Sequence, residues 1–134
     1  MTIATIKAVF DQELPLVWQI VTSLEEYSWR SDLSRIEILE PGKTFVEYTK
    51  DNYGTTFTIT ALEQYSCYAF DMDNDKMRGH WIGRFEEQGG KTAVEFTEDI
   101  QAKKFFLKPF VSTYLKKQQK TYIQDLKKYL EKVK

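Results

Sequence analysis

The chain has one cysteine, Cys67, and one histidine, His80, among its 134 residues. A single thiol cannot close an intramolecular disulfide, so a small secreted scaffold stapled by bridges is excluded. The same scarcity leaves too few soft ligands for a zinc site, and neither a metal nor another cofactor is expected. No stretch approaches the roughly 18 continuous apolar residues that cross a bilayer, so no membrane span is expected. The opening MTIATIKAVF has no basic segment followed by a long apolar run and does not read as a signal peptide. A cytoplasmic location is the resulting expectation. The pair Gly89-Gly90 sits in a hairpin with no helix after it, which rules out a phosphate-cradling loop. No repeat or low-complexity linker divides the chain, and residues 1–134 are expected to form one domain.

What the chain has in excess is rings: aromatics make up 15% of it. Large side chains fill wide spaces, so this excess points either to a big core or to a ligand-facing interior. Charge is unevenly spread beneath a net of −1. Residues 1–102 hold nine Lys and Arg against eighteen Asp and Glu, whereas residues 103–134 hold ten Lys against two acids. A basic tail can signal an anionic partner. A terminal helix packed on an acidic remainder explains it equally well, with last-turn lysines facing the helix dipole. The second reading is preferred, and no nucleic-acid partner is expected.

Ile6, Ala8 and Phe10 alternate with polar or smaller neighbours, predicting a strand over about residues 3–10. Leu14, Val17, Trp18, Val21 and Leu24 then fall on one helical stripe, with Pro15 in the tolerated first turn. A second short helix is predicted from Glu25 to Leu33. Ile36 and Ile38 mark strand two, stopped by Pro41-Gly42.

Three turn clusters organise the middle of the chain. Pairing Lys50 with Thr55 across Asp51–Gly54 sets Tyr48 opposite Phe57 and Val46 opposite Ile59. Pairing Met72 with Met77 sets Tyr68 opposite Trp81 and Asp71 opposite Arg78. Pairing Glu86 with Lys91 sets Trp81 opposite Phe96 and Met77 opposite Ile100. Each register separates apolar from polar residues, and a one-residue slip would exchange every face. One face then carries Tyr48, Phe57, Ile59, Tyr68, Phe70, Trp81 and Phe96, and the other carries Glu47, Thr58, Asp71, Arg78 and Asp99. A sheet with one wet face must cover the other. The cover is a helix from about Phe105 to Lys132, with a stripe of Phe110, Tyr114, Gln118, Tyr122, Leu126, Tyr129 and Val133. Gly79 and Gly83 are read as places where that helix approaches most closely.

This order of elements is an α+β helix-grip fold: a strongly curved antiparallel sheet wrapped around a long C-terminal helix, with two short helices after strand one. Leu14-Pro-Leu-Val-Trp-Gln-Ile-Val followed by Tyr27-Ser-Trp-Arg resembles the opening of the polyketide cyclase/dehydrase branch of the START-like (SRPBCC) superfamily. Gly79-His-Trp-Ile-Gly-Arg-Phe, the Gly-Gly turn and Thr92-Ala-Val-Glu-Phe-Thr are similar to that branch's last two strands. Leu115 to Glu131 resembles its closing helix. The resemblance spans about residues 3–133. It implies the fold and a cavity, but no single activity, because the superfamily includes lipid and hormone carriers, plant allergens, aromatic cyclases and stress-response proteins.

The expected cavity is apolar and ring-lined. Tyr48, Phe57, Ile59, Tyr68, Phe70, Trp81 and Phe96 face it from the sheet. Phe110, Tyr114 and Gln118 face it from the helix, with Trp29 near the mouth. Such a site suits a lipid-like or aromatic, polyketide-like molecule held by a carrier or sensor. Glu98 is the one carboxylate on the apolar face. If buried, it has a raised pKa and is the weak candidate for a proton shuttle in a cyclase- or lyase-type enzyme. His80 and Cys67 point to the convex side without a third partner, which argues against a Cys–His nucleophile. The third reading is an interaction protein with a filled core and a docking outer surface. Many rings and a single inward acid favour binding over catalysis. No oligomeric state is implied.

Overall fold

The computed structural model describes residues 2–133. Seven strands form one antiparallel sheet: β1 (Thr2–Phe10), β2 (Arg35–Glu40), β3 (Thr44–Tyr48), β4 (Gly54–Glu63), β5 (Cys67–Asp73), β6 (Met77–Gln88) and β7 (Lys91–Ala102). Their spatial order is β1-β7-β6-β5-β4-β3-β2, so β1 crosses over to pair with β7 and every other neighbour is a hairpin partner. Helix α1 (Leu14–Thr22) follows β1. A 3-10 turn (Phe105–Leu107) leads into the 26-residue helix α2 (Lys108–Val133). The expected grip of a curved sheet on a long helix is the observed architecture.

Only one helix, not two, follows β1. After α1 the backbone of Ser23 turns extended, and its hydroxyl accepts hydrogen bonds from the amides of Glu25 and Glu26. Tyr27 to Leu33 then runs as turns tied to distant partners: the amide and hydroxyl of Ser31 both donate to Asp125 on α2. Long-range bonds have replaced the helical ones that the local pattern predicted.

The hairpins are tighter than the turn clusters suggested. Gly89 and Gly90, both at positive φ, form a two-residue loop of the type that matches strand twist, and Gln88 pairs with Lys91. Asn74 closes the β5–β6 loop, its backbone amide donating to the Met77 carbonyl and its side-chain oxygen accepting from the amides of Lys76 and Met77. Each change moves the register by two residues and leaves the faces intact: Phe70 lies opposite Trp81, Gly83 opposite Phe96, and Glu98 opposite Trp81. The β3–β4 loop is different. Asn52 adopts positive φ, Thr49 closes a three-residue loop on Tyr53, and Tyr48 pairs with Gly54. That odd shift turns β3 over. Phe45 and Glu47 now share the concave side with Phe57, while Val46 and Tyr48 belong to the other face.

The main core lies where α1, β6, β7 and the C-terminal half of α2 meet, around Trp18, Phe85, Val94, Leu126 and Leu130. On α2 the buried residues are Leu115, Gln119, Ile123, Leu126 and Leu130. This stripe is rotated by about one residue from the expected one, and Phe110, Tyr114 and Val133 are exposed. The two strand glycines make room for neighbouring side chains and not for the helix. A Cβ on Gly83 would come within 2.5 Å of the Trp81 ring, and one on Gly79 within 2.3 Å of Ile100.

Candidate functional site

Between the concave sheet, the 23–34 segment and the middle of α2 lies an inner chamber of about 80 Å³. An outer cleft of about 330 Å³ adjoins it along β3–β5 and α2. Asp32, Glu47, Phe57, Met72, Glu98 and Gln118 border both spaces. The interior expected to be wide is largely filled by its own rings. Phe70 stacks face to face on Trp81 (4.8 Å between centroids, 3° between planes), and Phe45 on Phe57 (4.9 Å, 2°). Trp81 in turn leans on Phe96 at 4.9 Å. What remains open is a few water volumes inside and a cleft at the lower end of the roughly 300–1,000 Å³ usual for ligand pockets.

The residues expected to face inward divide clearly. Trp29, Phe57, Tyr68, Phe70, Trp81, Phe96, Glu98 and Gln118 all line the chamber. Ile59 packs beside them on the main core. Tyr48 does not line the chamber: the inversion of β3 puts it on the far face, where the Arg35 guanidinium sits 3.7 Å from the ring centre, and it reaches only the outer cleft. Tyr114 also borders only the outer cleft, and Phe110 touches neither space, because the packed stripe of α2 runs through Leu115 and Gln119 instead. Trp29 is half-buried, stacked on Tyr129 and edge-on to Tyr122, with its indole N–H donating to the Glu26 carbonyl.

The sequence reading missed a charged cluster. Arg30 donates two bonds to Glu47 (2.8 and 3.1 Å) and two to Asp32 (2.8 and 3.1 Å), and its guanidinium lies 5.2 Å from the Tyr122 ring centre. Burial works against the charge on Arg30, yet Glu47 and Asp32 outweigh it and hold its pKa above the ordinary value. Arg30 follows Trp29 in a stretch whose local pattern suggested a short helix, and Glu47 was assigned outward by the wrong β3 register. Asn52, a residue type that tolerates positive φ, was the available signal of a three-residue loop.

Glu98 is 7% exposed, opposite Trp81 on β7. Desolvation pushes its pKa up to about 7, against a smaller pull downward from the Gln119 amide and from Arg30. Gln119 is itself anchored, donating to the Ala4 carbonyl at 3.0 Å. Burial likewise raises the pKa of Tyr68 and Tyr122, so both phenols stay protonated as donors. Four carboxylates (Glu26, Asp32, Glu47 and Glu98) border the chamber against one guanidinium. On the convex face His80 contacts Asp71 at 2.7 Å, away from the cavity as expected. Among the described residues no cluster of three or more His, Cys, Asp or Glu is placed to hold a metal, and no helix is long and apolar enough to cross a membrane.

A curved antiparallel sheet gripping a long helix over a ring-lined chamber is the helix-grip fold. The chain matches the family described as polyketide cyclase / dehydrase and lipid transport over residues 2–131, and it belongs to that family. A START superfamily protein from Mycobacterium smegmatis superposes with a TM-score of 0.87 at 11% identity, over 98% of this chain and 99% of that one. Protein MLL2253 from Mesorhizobium loti gives 0.85 at 9% identity, over 99% of both chains. The di-domain ARO/CYC BexL, from the BE-7585A biosynthetic pathway, gives 0.83 at 12% identity over 98% of this chain and 47% of its own. At these identities the likeness is one of fold. No curated protein matches significantly in sequence.

Proposed function

We propose that this protein binds a small hydrophobic, ring-bearing molecule between the sheet and α2, as a carrier or sensor, with the polar end of the ligand at Glu98. The observation that carries this reading is an aromatic-walled chamber whose inner border holds a nearly buried carboxyl group. The wall chemistry narrows the ligand. Rings offer stacking partners, while an excess of carboxylates repels a ligand carboxylate and welcomes an amine, a phenol or an alcohol. Arg30 is already spent on Glu47 and Asp32 and does not offer a free anion site. The ligand's bulk belongs in the outer cleft, with its polar end reaching inward past Phe57 and Met72, which border both spaces.

Native mass spectrometry of protein purified from its host, followed by thermal shifts with aromatic alcohols, amines and acids, tests this. A copurified apolar molecule, or stabilisation that grows with ligand concentration, supports it. Neither signal across the series would overturn it.

The alternative is catalysis of cyclase or lyase type. It has one specific observation in its favour: Glu98 titrates near neutrality in a chamber that is also lined by the phenols of Tyr68 and Tyr122, which stay protonated. A general acid or base needs a reacting atom within hydrogen-bond reach, so Glu98→Gln separates the readings. A carrier releases unchanged ligand both as the parent and as this variant, whereas an enzyme converts the ligand as the parent and only binds it as the variant.

A further inference from the structure

The first turns of α2 present a surface that neither the chamber nor the core uses. Phe105 is 81% exposed, Phe106 57%, Phe110 67% and Tyr114 49%. Phe106, Phe110 and Tyr114 recur every four residues, so they line one side of the chain as it enters the helix. The Phe105 ring meets that of Phe106 edge-on at 6.1 Å. A single exposed ring is ordinary, but contiguous exposed phenylalanines mark a surface that is covered in use.

The charge carried by this stretch of chain has one sign, and the acids beside it are Asp73 and Asp75 at the β5–β6 loop, next to Lys103 and Lys104. Between Lys103 and Gln124 the sequence has six lysines and no acid. Lys103 is engaged with Asp73 at 2.7 Å, but Lys104 and Lys108 flank the phenylalanines and are exposed. Phenylalanines amid lysines, on a segment too polar to span a bilayer, have the composition of an interfacial element. The patch also meets the site: Tyr114 and Lys117, three residues apart on the helix, both border the outer cleft.

We infer that the Phe105–Tyr114 segment is a docking patch for an anionic lipid surface, with its phenylalanines entering the headgroup boundary and its lysines facing the lipid charge. The patch sets the cleft's lip at the bilayer, where hydrophobic ligands are concentrated. A second copy of the chain would bring six more lysines per copy against this face, so like charge disfavours self-association there. Docking stands on the exposed rings and lysines alone and does not depend on what the chamber holds.

Vesicle co-sedimentation of the full chain provides the test. Binding to phosphatidylcholine vesicles containing about 30 mol% phosphatidylserine is expected to exceed that to pure phosphatidylcholine by about tenfold or more, and to weaken as salt rises. The variant F105S/F106S/F110S is expected to lose about tenfold on the anionic vesicles with its thermal midpoint unchanged, because these rings support no packing. K104Q/K108Q is expected to weaken binding and flatten its salt dependence. Three results would overturn the inference: equal binding to both vesicle types, undiminished binding by the triple phenylalanine variant, or a concentration-dependent dimer of the parent that this variant abolishes.

Discussion

The two halves of α2 lie in different environments. Its C-terminal half is a core element: Ile123, Leu126 and Leu130 are buried against Trp18, Phe85 and Val94, where α1 seals the sheet. Its N-terminal half buries only Leu115 and Gln119, carries exposed Phe110 and Tyr114, and borders the cleft. The first half resembles the interior of any small α+β domain. The N-terminal half borders a hollow and a charge cluster with unequal signs and carries uncovered rings; a domain needs neither the hollow nor the uncovered rings in order to fold. Apolar packing is concentrated at the closed end and recognition at the open one.

This contrast can be broken in several ways. The largest stability losses should come from charge and core. Arg30→Ala leaves Asp32 and Glu47 beside the chamber without their partner and should cost about 3 kcal/mol or more in chemical denaturation. Leu126→Ala, at a fully buried position, should cost about 3 kcal/mol, or roughly 10 °C in thermal midpoint.

Glu98 gives a pH-dependent effect of similar size. Its carboxyl titrates near 7 in the folded protein against an ordinary 4.5, so the native state holds its proton after the unfolded chain has released it. Its contribution is therefore fully present below about 4.5 and is lost as pH rises through about 7. The total change is on the order of 3 kcal/mol at most. Glu98→Gln is neutral throughout. Its stability should depend less steeply on pH over that window, and it should exceed the parent's at pH values above the window. Equal slopes for the two proteins would show that the carboxyl reaches solvent.

Gly83→Ala is a smaller test of the ring packing. The added methyl meets the Trp81 ring and should cost about 1–3 kcal/mol, with a change in tryptophan emission. At the bottom of the scale, Phe110→Ser should change stability by less than about 0.5 kcal/mol. A large loss there would mean that the N-terminal half of α2 is core after all.

The fold was legible because it rests on alternation, which survives errors in loop length. Shortening the β5–β6 and β6–β7 loops moved each register by two residues, and Phe70, Trp81, Phe96 and Glu98 kept their faces. The site was less legible, because one odd loop suffices to spoil it. Asn52 at positive φ inverted β3, which removed Tyr48 from the chamber and brought in Phe45 and Glu47. On α2, Phe110 and Tyr114 mimic a core stripe next to the true one through Leu115 and Gln119, and only the sheet decides which is buried. Arg30 lies in a segment shaped by long-range bonds such as Ser31 to Asp125, where local pattern carries no information.

The most direct test of the central claim is a titration followed by tryptophan fluorescence, since Trp29 and Trp81 both line the chamber. The ligands are 2-naphthylmethanol and 2-naphthoate, which share a ring system and differ in the polar end, measured at about pH 8. The account predicts saturable quenching by the alcohol, affinity for the acid weaker by about tenfold or more, and a narrowed gap in Glu98→Gln. Tighter binding of the acid, with the same preference in Glu98→Gln, would contradict it.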